Sequence, residues 1–220
     1  TGVYARGTGA PPPEDFDELS PGNSAFDGVN LTANAGGQSS MNLSLTQTAS
    51  SVAIGGDVTM IFGGQMDARN DAFVGRGLPL RFTANRDATF ALSGSLSGSG
   101  SESVLLGLFV ELFDITAGGT TLFRQISDAL AQDPASLTVG TAAGDTIDVL
   151  EGATAGALVA GHTYGLTMIY NVLPSFSGTG TYFATGDFSF EVTAIPEAAT
   201  LPLFVLALAG LARRRSRRRS

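Results

Sequence analysis

The stretch TFALSGSL, residues 89–96, decides the fold class of this chain. Its apolar residues Phe90, Leu92 and Leu96 all fall at even positions, and small or polar residues stand between them. Such alternation is typical of a β-strand with one buried and one wet side, because successive side chains point to opposite faces. We therefore predict a strand here that contributes these three residues to a core.

The same alternation recurs further along the chain. The segment DFSFEVT, residues 187–193, places Phe188, Phe190 and Val192 on one face, and residues 164–170 place Tyr164, Leu166, Met168 and Tyr170 on one face. Residues 104–113 are instead almost continuously apolar, which predicts a central strand covered on both sides. Several strands of these kinds indicate an all-β protein.

Pairs of adjacent glycines predict the turns between these strands. The glycine pairs stand at residues 36–37, 55–56, 63–64 and 118–119. Many short strands separated by glycine turns favour an antiparallel β-sandwich. One short helix is predicted around residues 124–132, with Ile126 and Leu130 on one side and Asp133-Pro134 at its end.

The composition excludes several classes of function. The chain has no cysteine, so it has no disulfide framework, no thiol nucleophile and no thiolate metal site. Residues 1–194 hold 6 arginines against 19 aspartates and glutamates, a formal net charge of −13. Such an acidic domain argues against nucleic-acid binding, because the phosphate backbone must be neutralised by cations. It could attract divalent cations.

The last 26 residues, 195–220, have a different character. Ile195-Pro196-Glu197 precedes an apolar run that ends at Ala212, and an arginine cluster follows. As a helix with a rise of about 1.5 Å per residue, some 15 apolar residues would span roughly 22 Å, which is short against a bilayer core of about 30 Å. Arginines at a membrane helix end stop translocation and stay cytoplasmic, so the domain before them would face outward.

This three-part tail resembles the PEP-CTERM sorting signal of Gram-negative bacteria. The resemblance makes Pro196, Glu197 and Ala198 the recognition motif, with alanine where the family usually has a second proline. It implies a short transmembrane helix formed by Leu201, Pro202, Leu203, Phe204, Val205, Leu206, Ala207, Leu208, Ala209, Gly210, Leu211 and Ala212. It implies a stop-transfer cluster formed by Arg213, Arg214, Arg215, Arg217, Arg218 and Arg219.

The resemblance also implies partners and a location. Proteins with this signal are thought to be substrates of exosortase, a membrane cysteine transpeptidase-like enzyme, which would act near Pro196-Glu197 after export by the Sec machinery. The protein would pass through the inner membrane to the cell surface or extracellular matrix, where the family is linked to exopolysaccharide and biofilm. Residues 156–166 are similar to a turn-into-strand segment in jelly-roll-like domains of such proteins. From the residues alone, this segment predicts a glycine turn followed by a half-buried strand.

These observations divide the chain into three parts. Residues 1–24 are expected to form an N-terminal loop or extended segment, residues 25–194 the jelly-roll-like β-sandwich, and residues 195–220 the sorting tail. The chain begins at Thr1 without an apolar secretory segment. Because the tail acts only after export, we expect a precursor with an upstream signal peptide.

Three groups of residues are candidates for chemistry in the domain. His162 is the only histidine, and without a G-x-S-x-G motif we interpret it as a structural residue near a turn. Asp145 and Asp148, with Glu151, are weak candidates for a calcium site, although no EF-hand loop is present and the default is no cofactor. Glu111 and Asp114 are a carboxylate pair of the type that hydrolyses glycosides when the two are held at a suitable separation.

The sequence therefore favours a non-enzymatic, exported surface protein. The alternative is a carbohydrate- or calcium-binding β-sandwich module at the cell surface, and a third hypothesis is a hydrolase. A fold alone does not separate these functions, because function depends on sites carried by the fold.

Overall fold

A computed structural model describes residues 2–6, 14–18, 29–34, 37–65, 69–74, 79–100, 104–131, 135–140, 146–174 and 179–196. These residues form fifteen β-strands and no helix. The strands are β1 Gly2–Arg6, β2 Glu14–Glu18, β3 Val29–Asn34, β4 Gly37–Gln47, β5 Ser51–Gln65, β6 Arg69–Val74, β7 Leu80–Thr83, β8 Ala88–Gly100, β9 Val104–Asp114, β10 Thr120–Ala131, β11 Ala135–Thr138, β12 Thr146–Gly152, β13 Ala155–Leu158, β14 Thr163–Pro174 and β15 Thr179–Ala194. The predicted all-β class is confirmed.

The strands form two sheets, and every pairing among them is antiparallel. The first sheet has the order β12-β10-β9-β14-β6-β1-β2, and β7 also pairs with β14. The second has the order β11-β8-β15-β5-β4-β3, and β13 also pairs with β8. Both β9 and β14 lie inside the first sheet, and β8 and β15 lie inside the second.

The inward side chains of the two sheets form one core. Leu106, Leu108, Val110 and Leu112 of β9 are all buried, as are Phe188 and Phe190 of β15 in the other sheet. Phe82 on β7 meets Phe190 across the core, with ring centroids 5.3 Å apart. Burial of this apolar surface is the main favourable contribution to folding.

The alternation predictions are confirmed. Phe90, Leu92 and Leu96 of β8 are at most 5% exposed. Every second residue of β14 from Tyr164 to Val172 is buried as well. On β15, Phe188 and Phe190 are buried and Val192 packs against the core.

The predicted helix at residues 124–132 is wrong, since residues 120–131 form strand β10. The spacing of Ile126 and Leu130 explains the error. Four residues separate neighbours on one helix face, but four is also an even number, so both residues share one face of a strand as well.

Two of the predicted glycine turns are also wrong. Residues 55–56 and 63–64 lie inside the long strand β5. Gly56 is needed there because a Cβ would stand 2.6 Å from Cε1 of Phe188, so the aromatic ring on β15 occupies that space. By contrast, Gly118 and Gly119 do form the turn between β9 and β10, with φ angles of 78° and 86°.

The N-terminal segment contains more regular structure than expected. Residues 1–24, predicted to be loop or extended, include β1 and β2, which pair with each other, and β1 also pairs with β6. Their polar, proline-interrupted sequence gives no clear alternation, so the pairing depends on the neighbouring β6 and not on local pattern.

The expected transmembrane helix at residues 201–212 and the arginine cluster lie outside the described residues. Within the described ranges, no helix of the length and apolarity needed to span a membrane is present.

Candidate functional site

The outward side of strand β9 carries an unusual mixture of aromatic and charged residues. Side chains at even positions of β9 point into the core, so Phe109, Glu111 and Phe113 point to the other side. All three are half-buried. The continuous apolar run had predicted a strand covered on both sides, and that prediction is wrong for the outer side of β9.

The neighbouring strands extend this surface on both sides. Phe109 lies between Ile126 of β10 and Ile169 of β14, and Glu111 lies between Arg124 and Thr167. We call the outward surface of these three strands the β9 face, defined by Phe109, Glu111, Phe113, Arg124, Ile126, Thr167, Ile169 and Asn171. An apolar row and a polar row therefore follow each other along the strands, about 7 Å apart.

Two glycines shape the β9 face. Gly165 of β14 is opposite Phe113, and a Cβ on it would stand 2.6 Å from Cζ of that ring. The Phe113 side chain therefore lies over the glycine backbone. Gly107 is covered in the same way by the amide of Asn171. Both side chains are thus held against the sheet, with an aromatic ring at one end and an amide at the other.

The charges on the β9 face are mixed. Arg124 Nε lies 3.8 Å from Glu111 Oε1, and their side chains are 40% and 26% exposed. Arg124 is also in register with Glu151 on the edge strand β12. A partly exposed pair of this type contributes little to stability, so its residues are free to serve another role.

Asp128 continues the β9 face toward β12. Its pKa is raised, mainly because burial disfavours the charged form and further because the Asp148 carboxylate is close. Asp148 stands at the irregularity where the register between β10 and β12 shifts. The two carboxylates therefore repel each other at the sheet edge.

The carboxylates of Glu111 and Asp114 do not form a pair. Glu111 is on the outward side of β9, whereas Asp114 is 7% exposed and points inward at the strand end. Side chains three residues apart on a strand lie on opposite faces. The arrangement that glycoside hydrolysis requires, with both carboxylates flanking one bond, is therefore not formed by these two residues.

His162 stands at the turn before β14, next to Asp114. Its Nδ1 lies 2.6 Å from Asp114 Oδ2, and its ring stacks on Tyr164 with centroids 6.4 Å apart. Asp114 Oδ1 accepts a hydrogen bond from the backbone N–H of Ala117, at 3.0 Å. These contacts join the β9–β10 turn to the start of β14.

The electrostatics of Asp114 follow from the same contacts. Burial alone would raise the pKa of Asp114, but the hydrogen bonds from His162 and Ala117 and the charge of His162 outweigh it. The net effect is a lowered pKa, so Asp114 stays ionised as an acceptor in the turn.

The structure describes two of the three weak calcium candidates. Asp148 and Glu151 are exposed on β12, and Asp145 lies outside the described residues. Across the described ranges, no group of three or more histidine or acidic residues is arranged to hold a metal ion.

The residues predicted to form the sorting motif follow shortly after the end of β15 at Ala194. The backbone N–H of Ile195 donates to Asp87 O at 2.9 Å, and the Ile195 side chain is 44% exposed. Pro196 is exposed, and Glu197 and Ala198 lie outside the described residues.

Comparison with known proteins gives only remote structural similarities. No protein-family model matches the chain, and no curated protein matches it. A family 11 carbohydrate-binding module from Clostridium thermocellum, solved with a β-1,3-1,4-mixed-linked tetrasaccharide, aligns with a TM-score of 0.27 and 9% identity over 90% of this chain and 98% of that chain. The N-terminal cellulose-binding domain of β-1,4-glucanase C from Cellulomonas fimi aligns with a TM-score of 0.22 and 12% identity over 70% and 84%. TM-scores this low support no conclusion about this chain.

Sequence reasoning missed the β9 face. The signal was present in residues 104–113, where Glu111 interrupts an otherwise apolar run between two phenylalanines. A charged residue in the middle of a strand covered on both sides would be costly, so Glu111 already indicated an accessible face.

Proposed function

We propose that this domain is a non-catalytic polysaccharide-binding module of jelly-roll type at the cell surface, and that the β9 face binds the glycan. The observation that carries the proposal is the order of side chains along β9, in which Phe109 and Phe113 flank Glu111 on one outward surface. The two rings start from backbone positions about 13 Å apart, at roughly 3.3 Å per residue.

The chemistry of the β9 face suits a sugar chain. Sugar rings present C–H faces that pack on aromatic rings, and hydroxyl groups that exchange hydrogen bonds with carboxylates, amides and guanidinium groups. Phe113 is held over Gly165, so little side-chain freedom is lost when a sugar packs on it. Glu111, Arg124 and Asn171 supply polar partners between and beside the rings.

The charge of the domain favours neutral over acidic polysaccharides. Residues 1–194 carry a formal net charge of −13, which repels acidic polysaccharides. The ligand proposed is therefore a neutral glycan, and an acidic glycan should bind more weakly at low salt.

The test is affinity electrophoresis and calorimetry of the full chain against neutral and acidic soluble polysaccharides. At least one neutral glycan should bind, and Phe113→Ala should weaken that binding by about tenfold, the loss of one aromatic packing contact of about 1.4 kcal/mol. The matched control is Phe183→Ala, since Phe183 is a 47% exposed phenylalanine on β15 of the other sheet.

Two results would contradict the proposal. One is the absence of binding to every neutral glycan tested with folded protein. The other is an equal loss of binding in the Phe113→Ala and Phe183→Ala variants, each checked by its melting temperature.

The second proposal concerns sorting, and it rests on the tail sequence. We propose that residues 195–220 are a PEP-CTERM-type signal read by an exosortase-type membrane transpeptidase after Sec export, with cleavage near Pro196-Glu197. The exposed position of Ile195 and Pro196 at the end of β15 supports access by a peptidase. The apolar run and the arginine cluster would hold the substrate at the inner membrane until cleavage.

Intact mass of the protein recovered from its native cell surface tests the sorting proposal. The expected mass lacks the residues that follow the Pro196–Ala198 region, with any added mass identifying the attachment. A variant with Arg213, Arg214 and Arg215 replaced by glutamine should accumulate unprocessed. A full-length tail on surface protein would show that residues 201–212 are a plain anchor.

A further inference from the structure

Two turns at one end of the sandwich are joined to each other by backbone hydrogen bonds. The turn at residues 84–87 connects β7 to β8, and the turn at residues 159–162 connects β13 to β14. The Ala84 N–H donates to His162 O at 3.0 Å, and the Gly161 N–H donates to Ala84 O at 2.7 Å. The two turns therefore hold each other through a reciprocal pair of bonds.

Asp87 connects these turns to the end of β15. Its carboxylate Oδ1 accepts a hydrogen bond from the Ala160 N–H at 2.9 Å, and its carbonyl oxygen accepts one from the Ile195 N–H at 2.9 Å. Because Pro196 has no N–H, Ile195 supplies the last backbone N–H ahead of the Pro196-Glu197 bond. We define the end cap as residues 84–87, 159–162 and 194–195.

The turn that holds the Asp87 carboxylate is anchored in the core. The Val159 N–H, at the start of this turn, donates to the Tyr164 hydroxyl at 2.8 Å, and Tyr164 is buried. The hydrogen bond from this anchored turn fixes the Asp87 carboxylate. The side chain therefore holds the Asp87 backbone in place, and with it the carbonyl oxygen that binds Ile195.

A peptidase that cuts near Pro196-Glu197 needs the backbone of Ile195. Partner proteins bind extended peptides by pairing with their backbone N–H and C=O groups. Ile195 immediately precedes Pro196, so its N–H belongs to the segment that must pair. The Ile195 side chain is 44% exposed, but its N–H is bonded to Asp87 O. Binding of this segment by a peptidase therefore requires the Ile195–Asp87 hydrogen bond to open first.

We infer that the end cap limits the rate of cleavage near Pro196-Glu197, and that Asp87 is the positioning residue that keeps this segment closed. The inference rests on the sorting proposal for its role in the cell. When opening and closing are fast relative to cutting, the cleavage rate follows the fraction of open molecules. Removing the Asp87 carboxylate releases its backbone from the turn at residues 159–162 and raises that fraction.

The test uses the full chain in a mild detergent and a glutamyl endopeptidase, which cuts after glutamate and therefore at Glu197. Intact mass gives the rate at which a new C-terminus appears at Glu197. Asp87→Ala should be cut there about fivefold faster than wild type, the change expected for the loss of one hydrogen bond of average strength.

Two further variants test the cause. Asp87→Asn retains an acceptor oxygen for the Ala160 N–H, so its rate of cutting should stay close to that of wild type. Asp57→Ala is the matched control, since Asp57 is an exposed aspartate on β5 outside the end cap, and it should be cut at the wild-type rate. Equal rates for Asp87→Ala and Asp57→Ala would overturn the inference, as would equal acceleration by Asp87→Ala and Asp87→Asn.

Dilute urea separates local opening from a general loss of stability. Opening of one hydrogen bond exposes little surface, so the rate of cutting at Glu197 should be almost independent of urea below the unfolding transition. A steep rise with urea would show that cutting follows global unfolding, and it would overturn the inference. The test contains no exosortase, so its failure leaves the sorting proposal standing. A full-length tail on surface protein would contradict sorting without changing this result.

Discussion

Replacing Gly94 with valine is expected to lower the free energy of unfolding by about 2–6 kcal/mol, or to prevent folding. Gly94 lies on the inward side of β8, opposite Tyr170 of β14 in the other sheet. A Cβ there would stand 2.6 Å from the Tyr170 hydroxyl and 2.8 Å from the Asp187 carbonyl oxygen. Both neighbours belong to one hydrogen bond, because the Tyr170 hydroxyl donates to Asp187 O at 2.6 Å.

The size of the effect follows from two costs. Overpacking a close-packed core costs about 1–3 kcal/mol. Displacing the Tyr170 hydroxyl leaves a buried polar group without a partner, which costs about another 1–3 kcal/mol. Burial already raises the pKa of Tyr170, so the displaced hydroxyl cannot escape its apolar surroundings by ionising near neutral pH.

Urea unfolding of Gly94→Val measures this loss, and a mutant cycle with the smaller substitution Gly94→Ala tests its cause. Gly94→Ala should cost clearly less in a Tyr170→Phe background, because phenylalanine lacks the oxygen that the new Cβ meets. Ser93→Val is the matched control, since Ser93 is the exposed neighbour on β8, and its effect should stay within about 0.5 kcal/mol. Strictly additive effects of Gly94→Ala and Tyr170→Phe would show that the close approach is not what Gly94 provides.

Gly94 also shows which parts of the fold the sequence can predict. Alternation is a local property, so Phe90 and Leu92 could be assigned to one face of β8 without knowledge of their partners. The role of Gly94 depends on Tyr170, a residue on the other sheet, and a pattern within one strand contains no such information. Gly56 was interpreted as a turn residue for the same reason, since its partner is the Phe188 ring on β15.

The candidate sites were harder to predict than the strands. The β9 face combines residues from three strands, and only the Phe109–Glu111–Phe113 spacing is visible in one segment. Phe82 and Phe190, from different sheets, meet through tertiary packing alone. His162 was interpreted as a structural residue near a turn, and its pairing with Asp114 depends on the register of β9 and β14.

The second large effect is expected at Gln125, a fully buried polar side chain on β10. Its Oε1 accepts a hydrogen bond from the Gly140 N–H at 2.6 Å. Its Nε2 donates to Thr138 O at 3.1 Å and to Ser127 Oγ at 2.9 Å. Since β10 belongs to one sheet and β11, which ends at Thr138, belongs to the other, this amide links the two sheets at their edge.

Gln125→Leu should therefore lower the free energy of unfolding by about 2–6 kcal/mol. Leucine fills a similar volume but leaves the Gly140 N–H and the Thr138 carbonyl without their partner, at about 1–3 kcal/mol for each buried polar group. Urea unfolding measures the loss. Gln47→Leu is the matched control, since Gln47 is exposed on β4, and its effect should stay within about 0.5 kcal/mol.

Gln125→Glu separates the hydrogen bonds from the shape of the side chain. A neutral glutamic acid retains one donor and one acceptor, whereas the carboxylate can only accept and would be buried with its charge. The pKa of the introduced carboxyl group should therefore be raised in the folded state.

A raised carboxyl pKa makes the stability of the variant depend on pH. Relative to wild type, its free energy of unfolding falls as the pH rises from the pKa of the carboxyl in the unfolded state through its pKa in the folded state. The variant should thus be closer to wild type at pH 4 than at pH 7, while the deficit of Gln125→Leu should be the same at both. Equal deficits of Gln125→Glu at the two pH values would mean that water reaches this edge of the core and that the amide is not what joins the sheets there.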